Sequence, residues 1–194
     1  MSAPEELSPH VSGHVFIATS LDGFVAREDH ALDWLMKQET AGEDHGYDAF
    51  MADIDGLVMG SGSFRTVLGF EDWPYAKPVV VMSGSLREGD IPDRLRERVR
   101  LSTDGPVETF RSLAAQGWRR AYVDGGRLVQ SFLRDGLIAD MVVTVVPILL
   151  GRGIRLFGPL ERDIDLELLE SRSFPSGLVR LRYRCRPKAA RPVS

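Results

Sequence analysis

The clearest pattern along the chain is a series of short apolar runs, each broken by glycine or small hydroxyl residues and most followed by helical spacing. Ala121-Tyr122-Val123 reads as a buried strand that runs into Asp124-Gly125-Gly126. Leu128, Val129, Phe132 and Leu133 then fall on one helical face, and Gly136 ends the helix. The same punctuation recurs: residues 14–20 form a strand, and residues 56–60 a second that enters Ser61-Gly62-Ser63-Phe64 and a short helix. A third strand at 79–82 ends in Ser83-Gly84-Ser85, and a fourth spans 98–102. Pro106 opens a helix with Phe110, Leu113 and Ala114 facing inward and Gly117 as its stop, and a β-branched strand follows at 141–146. The connection after the first strand is long. It holds an Asp22-Gly23 turn, Asp33-Trp34-Leu35, and Tyr47, Phe50, Met51 and Ile54 at helical spacing.

The C-terminal part changes period. Val179, Leu181, Tyr183 and Cys185 alternate with Arg180, Arg182, Arg184 and Arg186, while 164–170 alternates with acidic residues outward, so the two segments form an antiparallel hairpin. The arginine stripe is read as a solvated sheet face opposite those acids, in preference to a nucleic-acid face. The order strand, helix, strand, helix, strand, strand, helix, strand, helix, strand and hairpin specifies an α/β protein with a mostly parallel sheet and an antiparallel edge.

Composition narrows the class. With 194 residues, 43% hydrophobic and 27% charged, the chain suits one globular domain with a full core, expected over 13–186 between disordered tails at 1–12 and 187–194. A formal net charge of -4 argues against a general nucleic-acid binder, and a single cysteine excludes an internal disulfide or multi-cysteine zinc site. No apolar run reaches the roughly 20 residues of a membrane span. The N-terminal residues lack the pattern of a secretory signal, so a cytoplasmic location is expected, with no metal and no membrane partner.

The glycine breaks carry the chemistry. A strand that ends in glycine and opens directly into a helix presents free backbone N–H groups at a positive helix end, which suits a phosphate or pyrophosphate. In an α/β sheet such breaks lie along one rim, where ligands bind. The candidate cofactor-binding positions are therefore Gly60, Ser61, Gly62, Ser63, Ser83, Gly84, Ser85, Gly125, Gly126, Arg127, Leu128 and Val129. The long connection, bearing aromatics and carboxylates, is a candidate lid. Asp22 and Asp33 are candidate catalytic carboxylates, and Phe24, Trp34, Tyr47, Phe50, Trp73 and Thr144 are candidate substrate contacts. Plain helix-to-sheet packing is the stronger reading for Tyr47 or Phe50 taken alone, and a turn role competes evenly for Asp22.

Six segments in this order resemble the dihydrofolate reductase-like superfamily: Ala18 to Ala26, Asp33 to Leu35, Ile54 to Ser63, Trp73 to Tyr75, Tyr122 to Gly126 and Pro147 to Phe157. Within it, the chain is most similar to stand-alone relatives of the C-terminal reductase domain of the bifunctional riboflavin-biosynthesis deaminase/reductase. The resemblance implies a three-layer fold around a mixed, mostly parallel eight-stranded sheet with an antiparallel C-terminal hairpin, NADPH as cofactor, and a homodimer. It also implies that the backbone near Ala18 meets the nicotinamide carboxamide, that Gly60–Ser63 and Gly125–Arg127 hold the pyrophosphate, and that Ser83–Ser85 lies near the 2′-phosphate. A cis Gly125–Gly126 bond is a further expectation from it.

Ser61 stands where many relatives carry arginine. NADPH preference is therefore expected through Arg87 and the serines, with NADH as a possible second cofactor. The activity implied is hydride transfer to a small heterocyclic substrate of the pyrimidine-reductase type. A folate or pterin reductase, and a nucleotide-binding protein with little or no catalysis, remain as alternatives.

Overall fold

The computed structural model describes residues 10–186. Its main sheet is built from β1 (Ser12–Ser20), β3 (Gly56–Gly60), β4 (Val79–Met82), β5 (Val99–Ser102), β6 (Arg120–Asp124), β7 (Ile138–Val146), β9 (Leu166–Ser173) and β10 (Val179–Cys185). These eight strands lie in the order β5-β4-β3-β6-β1-β7-β10-β9. All neighbours run parallel except the last two pairings, in which β10 is antiparallel to β7 and to β9. This is the mixed sheet with an antiparallel C-terminal hairpin expected from the sequence. A second, two-stranded sheet pairs β2 (Phe24–Ala26) with β8 (Ile154–Arg155). Segments of three and two residues carry no readable periodicity, and the sequence gives no sign of this small sheet.

The parallel strands are apolar on both faces because both faces are covered. On β3, Val58 points into one cluster with Val15, Val123, Phe110 and Phe132. Its neighbours Leu57 and Met59 point into the other, with Val81, Phe64 and Tyr122. Helices α4 (Pro106–Ala115) and α5 (Gly126–Arg134) close the first layer through Phe110, Leu113, Val129, Phe132 and Leu133. Helices α2 (Tyr47–Ala52) and α3 (Ser61–Leu68) close the second through Phe50, Met51, Phe64 and Val67. A short α1 (Asp33–Met36) plugs a third cluster with Trp34 against Val146, Phe174 and Leu178.

The arginine stripe of β10 is matched as expected: Arg180 pairs with Glu170 and Arg184 with Glu167 on β9. The expected tails at 1–9 and 187–194 lie outside the described residues. Val11 is buried and β1 starts at Ser12, so the folded part begins before residue 13.

At the opposite end of the sheet from its glycine breaks, a polar chain ties β1 to β7. His14 is buried, with Nδ1 2.9 Å from Asp140 Oδ2 and Nε2 2.9 Å from Ser12 Oγ. Ser12 in turn donates to the Arg119 carbonyl. Burial alone would raise the Asp140 carboxyl, but the hydrogen bond and charge of His14, with Arg120 and Arg182, hold it below the ordinary carboxylate value. A depressed folded-state pKa contributes stability above the unfolded pKa, and that contribution is lost as pH falls through the folded one. Asp140→Asn should therefore cost about 1–3 kcal/mol at neutral pH. Urea unfolding should show the gap to the unsubstituted protein closing as pH drops below about 4.

Candidate functional site

Strands β3, β6 and β1 are consecutive in the sheet, and their C-terminal ends open into one cleft of about 660 Å³. Ala18 from β1, Gly60–Ser63 from the β3–α3 junction and Gly125–Leu128 from the β6–α5 junction all line it. The two glycine breaks therefore meet, as their pattern implied. They meet in contact: Gly125 adopts φ +98°, and a Cβ there would lie 2.6 Å from the Ser63 hydroxyl. The left-handed turn at Gly125 is what lets the two loops close on each other.

Each glycine in this cradle has its own reason. At Gly60 the backbone is extended (φ −82°, ψ 165°), and a Cβ would meet nothing within 4 Å. Gly60 thus leaves space on the cleft wall. Gly126 is different, because a Cβ would lie 2.4 Å from the Arg155 carbonyl oxygen on β8. That glycine lets the first turn of α5 pack on the small sheet. The described residues contain no cis peptide bond, so the Gly125–Gly126 bond is trans, contrary to the expectation from resemblance.

The floor is polar, with Tyr122 buried and Asp124 half-buried. Tyr122 Oη lies 2.7 Å from the Phe16 carbonyl oxygen and 3.2 Å from Asp124 Oδ1. The phenol is the donor toward both oxygens, with the Phe16 carbonyl as its nearer acceptor and Asp124 Oδ1 as the farther. Burial is the largest influence on Asp124 and raises its pKa. The Ser63 hydroxyl, Tyr122 and the Gly125 N–H pull the other way without reversing it. Burial also keeps the phenols of Tyr75 and Tyr122 protonated, Tyr75 being a further wall residue of the cleft. The cationic side chains lining the cleft are Arg65 and Arg127, and His30 lines it as well.

Other expected site residues lie elsewhere. Asp22 accepts from Ser20 Oγ at 2.6 Å, from the Gly151 N–H at 2.7 Å and from the Leu150 N–H at 3.1 Å. The Ser20 hydroxyl foremost, with those N–H groups, lowers it to about 2. It is a clamp between the end of β1 and the segment after β7, not a group facing the cleft. Asp33 is exposed and ion-paired with Arg27 at 2.6 Å. Trp34, expected in a polar lid, is wholly buried in its own cluster.

Phe24 is buried beneath the Arg155 guanidinium, Thr144 is buried on β7, and Val129 is core beneath α5. Trp73 packs on Phe64 and Tyr75. Tyr47 and Phe50 stand one layer back, with rings 5.5 Å and 5.2 Å from Phe16, which does line the cleft. The turn after β4 also stays outside, since the cleft reaches β4 only at Met82. Ser83 Oγ accepts the N–H groups of Ser85 and Leu86, and Arg87 donates to the carbonyls of Gly84 and Leu86.

Asp124, Tyr75, Arg65 and His30 were not among the residues singled out. For Asp124 a signal existed, a carboxylate at a buried strand end directly before two glycines. For His30 none did.

The sequence profile of the RibD C-terminal domain family matches residues 12–180. The chain belongs to that family. The Bacillus subtilis (strain 168) protein YwjB is 32% identical over 173 residues, which make up 87% of this chain and 95% of YwjB. A crystal structure from Shewanella sp. PV-4 with a riboflavin-biosynthesis designation is 38% identical, with a TM-score of 0.84, covering 91% of this chain and 100% of that one. The Thermotoga maritima deaminase/5-amino-6-(5-phosphoribosylamino)uracil reductase shares the fold, with a TM-score of 0.69 at 12% identity. This chain covers 57% of that longer one.

The two glycines separate binding from folding. Gly60→Val should fold normally and weaken dinucleotide binding by about tenfold or more, equivalent to about 1.4 kcal/mol. Gly126→Val should instead lower thermal stability through the Arg155 contact. Calorimetric titration and thermal unfolding of the two variants check this, and unchanged affinity in Gly60→Val would remove Gly60 from the binding wall.

Proposed function

We propose that this RibD C-terminal domain protein is an NADPH-dependent reductase that transfers hydride to a small heterocyclic substrate of the pyrimidine-reductase type, with NADH as the alternative cofactor. The observation that carries the reading is a half-buried carboxyl, Asp124, at the floor of a cleft framed by two helix N-termini and lined by Ala18. The residues fit a dinucleotide. Gly60 leaves room on the wall, and the N–H groups at the starts of α3 and α5 face an anion together with Arg65 and Arg127. A bound nicotinamide would supply the hydride.

The chain's own part is to orient, to dry the site and to hold a proton. Gly60–Ser63 and Gly125–Arg127 hold the diphosphate. Phe16, Val25, Leu32 and Leu35 give the apolar lining that excludes water. Asp124, whose pKa burial raises, is the group placed to hold a proton at a carboxyl oxygen and deliver it to a substrate atom as hydride adds. The reading also includes a homodimer. Leu166, Leu168 and Leu169 are exposed on β9, the edge strand of the main sheet, and a second copy would cover them.

Asp124→Asn keeps the size of the side chain and removes its titratable proton. With reducible pyrimidines or pterins and NADPH, the variant should lose about 10²–10⁴-fold in kcat and retain cofactor affinity. In the unsubstituted protein the rate should fall as pH rises through the raised Asp124 pKa, and that limb should vanish in the variant. NADPH binding without any cofactor oxidation across such substrates would replace the reductase with a dinucleotide-binding protein. Sedimentation equilibrium at micromolar concentration should give twice the chain mass, and Leu168→Asp should shift it to the monomer. A monomer before substitution would count against the dimer.

A further inference from the structure

The lid segment between β2 and α1 is a tight knuckle held by its own bonds. The Arg27 N–H donates to the Ala31 carbonyl, the His30 N–H donates to the Arg27 carbonyl, and the Ala31 N–H donates to Asp29 Oδ1. Arg27 is also locked to Asp33 by two hydrogen bonds, of 2.6 Å and 2.8 Å. The knuckle puts His30 in the left-handed region (φ +69°), where it is the one non-glycine residue among the described ones. A side chain held in that region against its preference often marks a function.

The knuckle lays the His30 ring against the first turn of α3. A Cβ built on Gly62 would lie 2.4 Å from His30 Cε1 and 2.8 Å from Nδ1, so the imidazole fills the volume that a side chain at position 62 would take. Gly62 has ordinary helical backbone angles, and glycine is a poor helix former, so its presence there is accounted for by the ring and not by the backbone. The ring lines the cleft, and among the described residues it makes no hydrogen bond. Arg65 and Arg127 stand on the other walls.

We propose that His30 is a cofactor-binding residue contributed by the lid, its imidazole taking the place of a side chain at position 62 and hydrogen-bonding the diphosphate of the dinucleotide. The proposal rests on the reading of the cleft as a dinucleotide site. It adds that the diphosphate is gripped from three sides, by the α3 turn, the α5 turn and the lid. It also makes Gly62 and His30 a matched pair, since any side chain at 62 displaces the ring.

The test is a double-substitution cycle on the full chain, titrating NADPH and ADP-ribose against the unsubstituted protein, His30→Ala, Gly62→Ala and His30→Ala/Gly62→Ala. His30→Ala should weaken both ligands by about five- to tenfold, the loss of one hydrogen bond to a charged group. Gly62→Ala should weaken them similarly by pushing the ring away, and the double variant should bind no worse than His30→Ala alone. Thermal unfolding gives an independent arm, since Gly62→Ala should raise the melting temperature more without His30 than with it. Unchanged affinity in His30→Ala, or additive losses in the double variant, would overturn the proposal. A loss confined to NADPH and absent with ADP-ribose would move the contact to the nicotinamide end and overturn the diphosphate assignment. If the unsubstituted protein bound neither NADPH nor NADH, the reductase reading would fall and His30 with it. Binding that ignores His30 sinks the lid contact alone.

Discussion

The site depends on the approach of two loops at the ends of neighbouring parallel strands. Gly125, in a conformation open to few other residues, brings the β6–α5 turn within van der Waals reach of the Ser63 hydroxyl on the β3–α3 turn. Parallel pairing sets the C-terminal ends of β3 and β6 side by side, and although α3 and α5 cover opposite faces of the sheet, the first turns of both line one cleft. Their unpaired N–H groups therefore point toward one volume. Asp124 lies beneath that junction because it is the last residue of β6, and that position leaves it half-buried. The glycine-lined rim and the raised pKa of Asp124 share one geometrical cause.

Around this junction the carboxylates on loops mostly serve as scaffolding. Asp22 gathers a serine hydroxyl and two backbone N–H groups, and Asp55 accepts the N–H groups of Arg119 and Arg120 at 2.6 Å and 2.8 Å. Glu43 does the same for Ser176. An ionised side chain with several directed donors is held for its charge, and it fixes the chain that supplies those donors. Asp124 has a different setting, since burial outweighs its donors. The division between structural and chemical acids follows from how many N–H and O–H groups reach each one against how much water it has lost.

Much of this was legible in the sequence. The parallel strands were readable as continuous apolar runs because both their faces are covered. The hairpin of β9 and β10 was readable as alternation because one of its faces is not. The cradle was readable from glycines at strand ends, whose physics is local. The lid was misread for the opposite reason. Trp34 sits among polar neighbours in the chain, yet it is buried by Val146, Phe174 and Leu178, which are distant in sequence. Asp22 and Asp33 looked like chemistry because a carboxylate in a loop looks the same whether or not a backbone N–H comes to meet it. Their partners, Gly151 for one and Arg27 for the other, became visible only once the chain was folded. Gly126 was readable as necessary, but its reason, the Arg155 carbonyl on β8, was not.

That last contact has a consequence for how the family can vary. Gly126 presses the first turn of α5 onto β8, and β8 pairs with β2, the strand from which the lid departs. The base of this segment is thereby part of the same body as the glycine turns that line the cleft. The far end of the lid is pinned as firmly, by Trp34 in its apolar socket. Between these anchors lie the seven residues from Arg27 to Asp33. This is an insert between fixed anchors, whose residues other than His30 a protein engineer can exchange while the strands and helices beneath keep their shape.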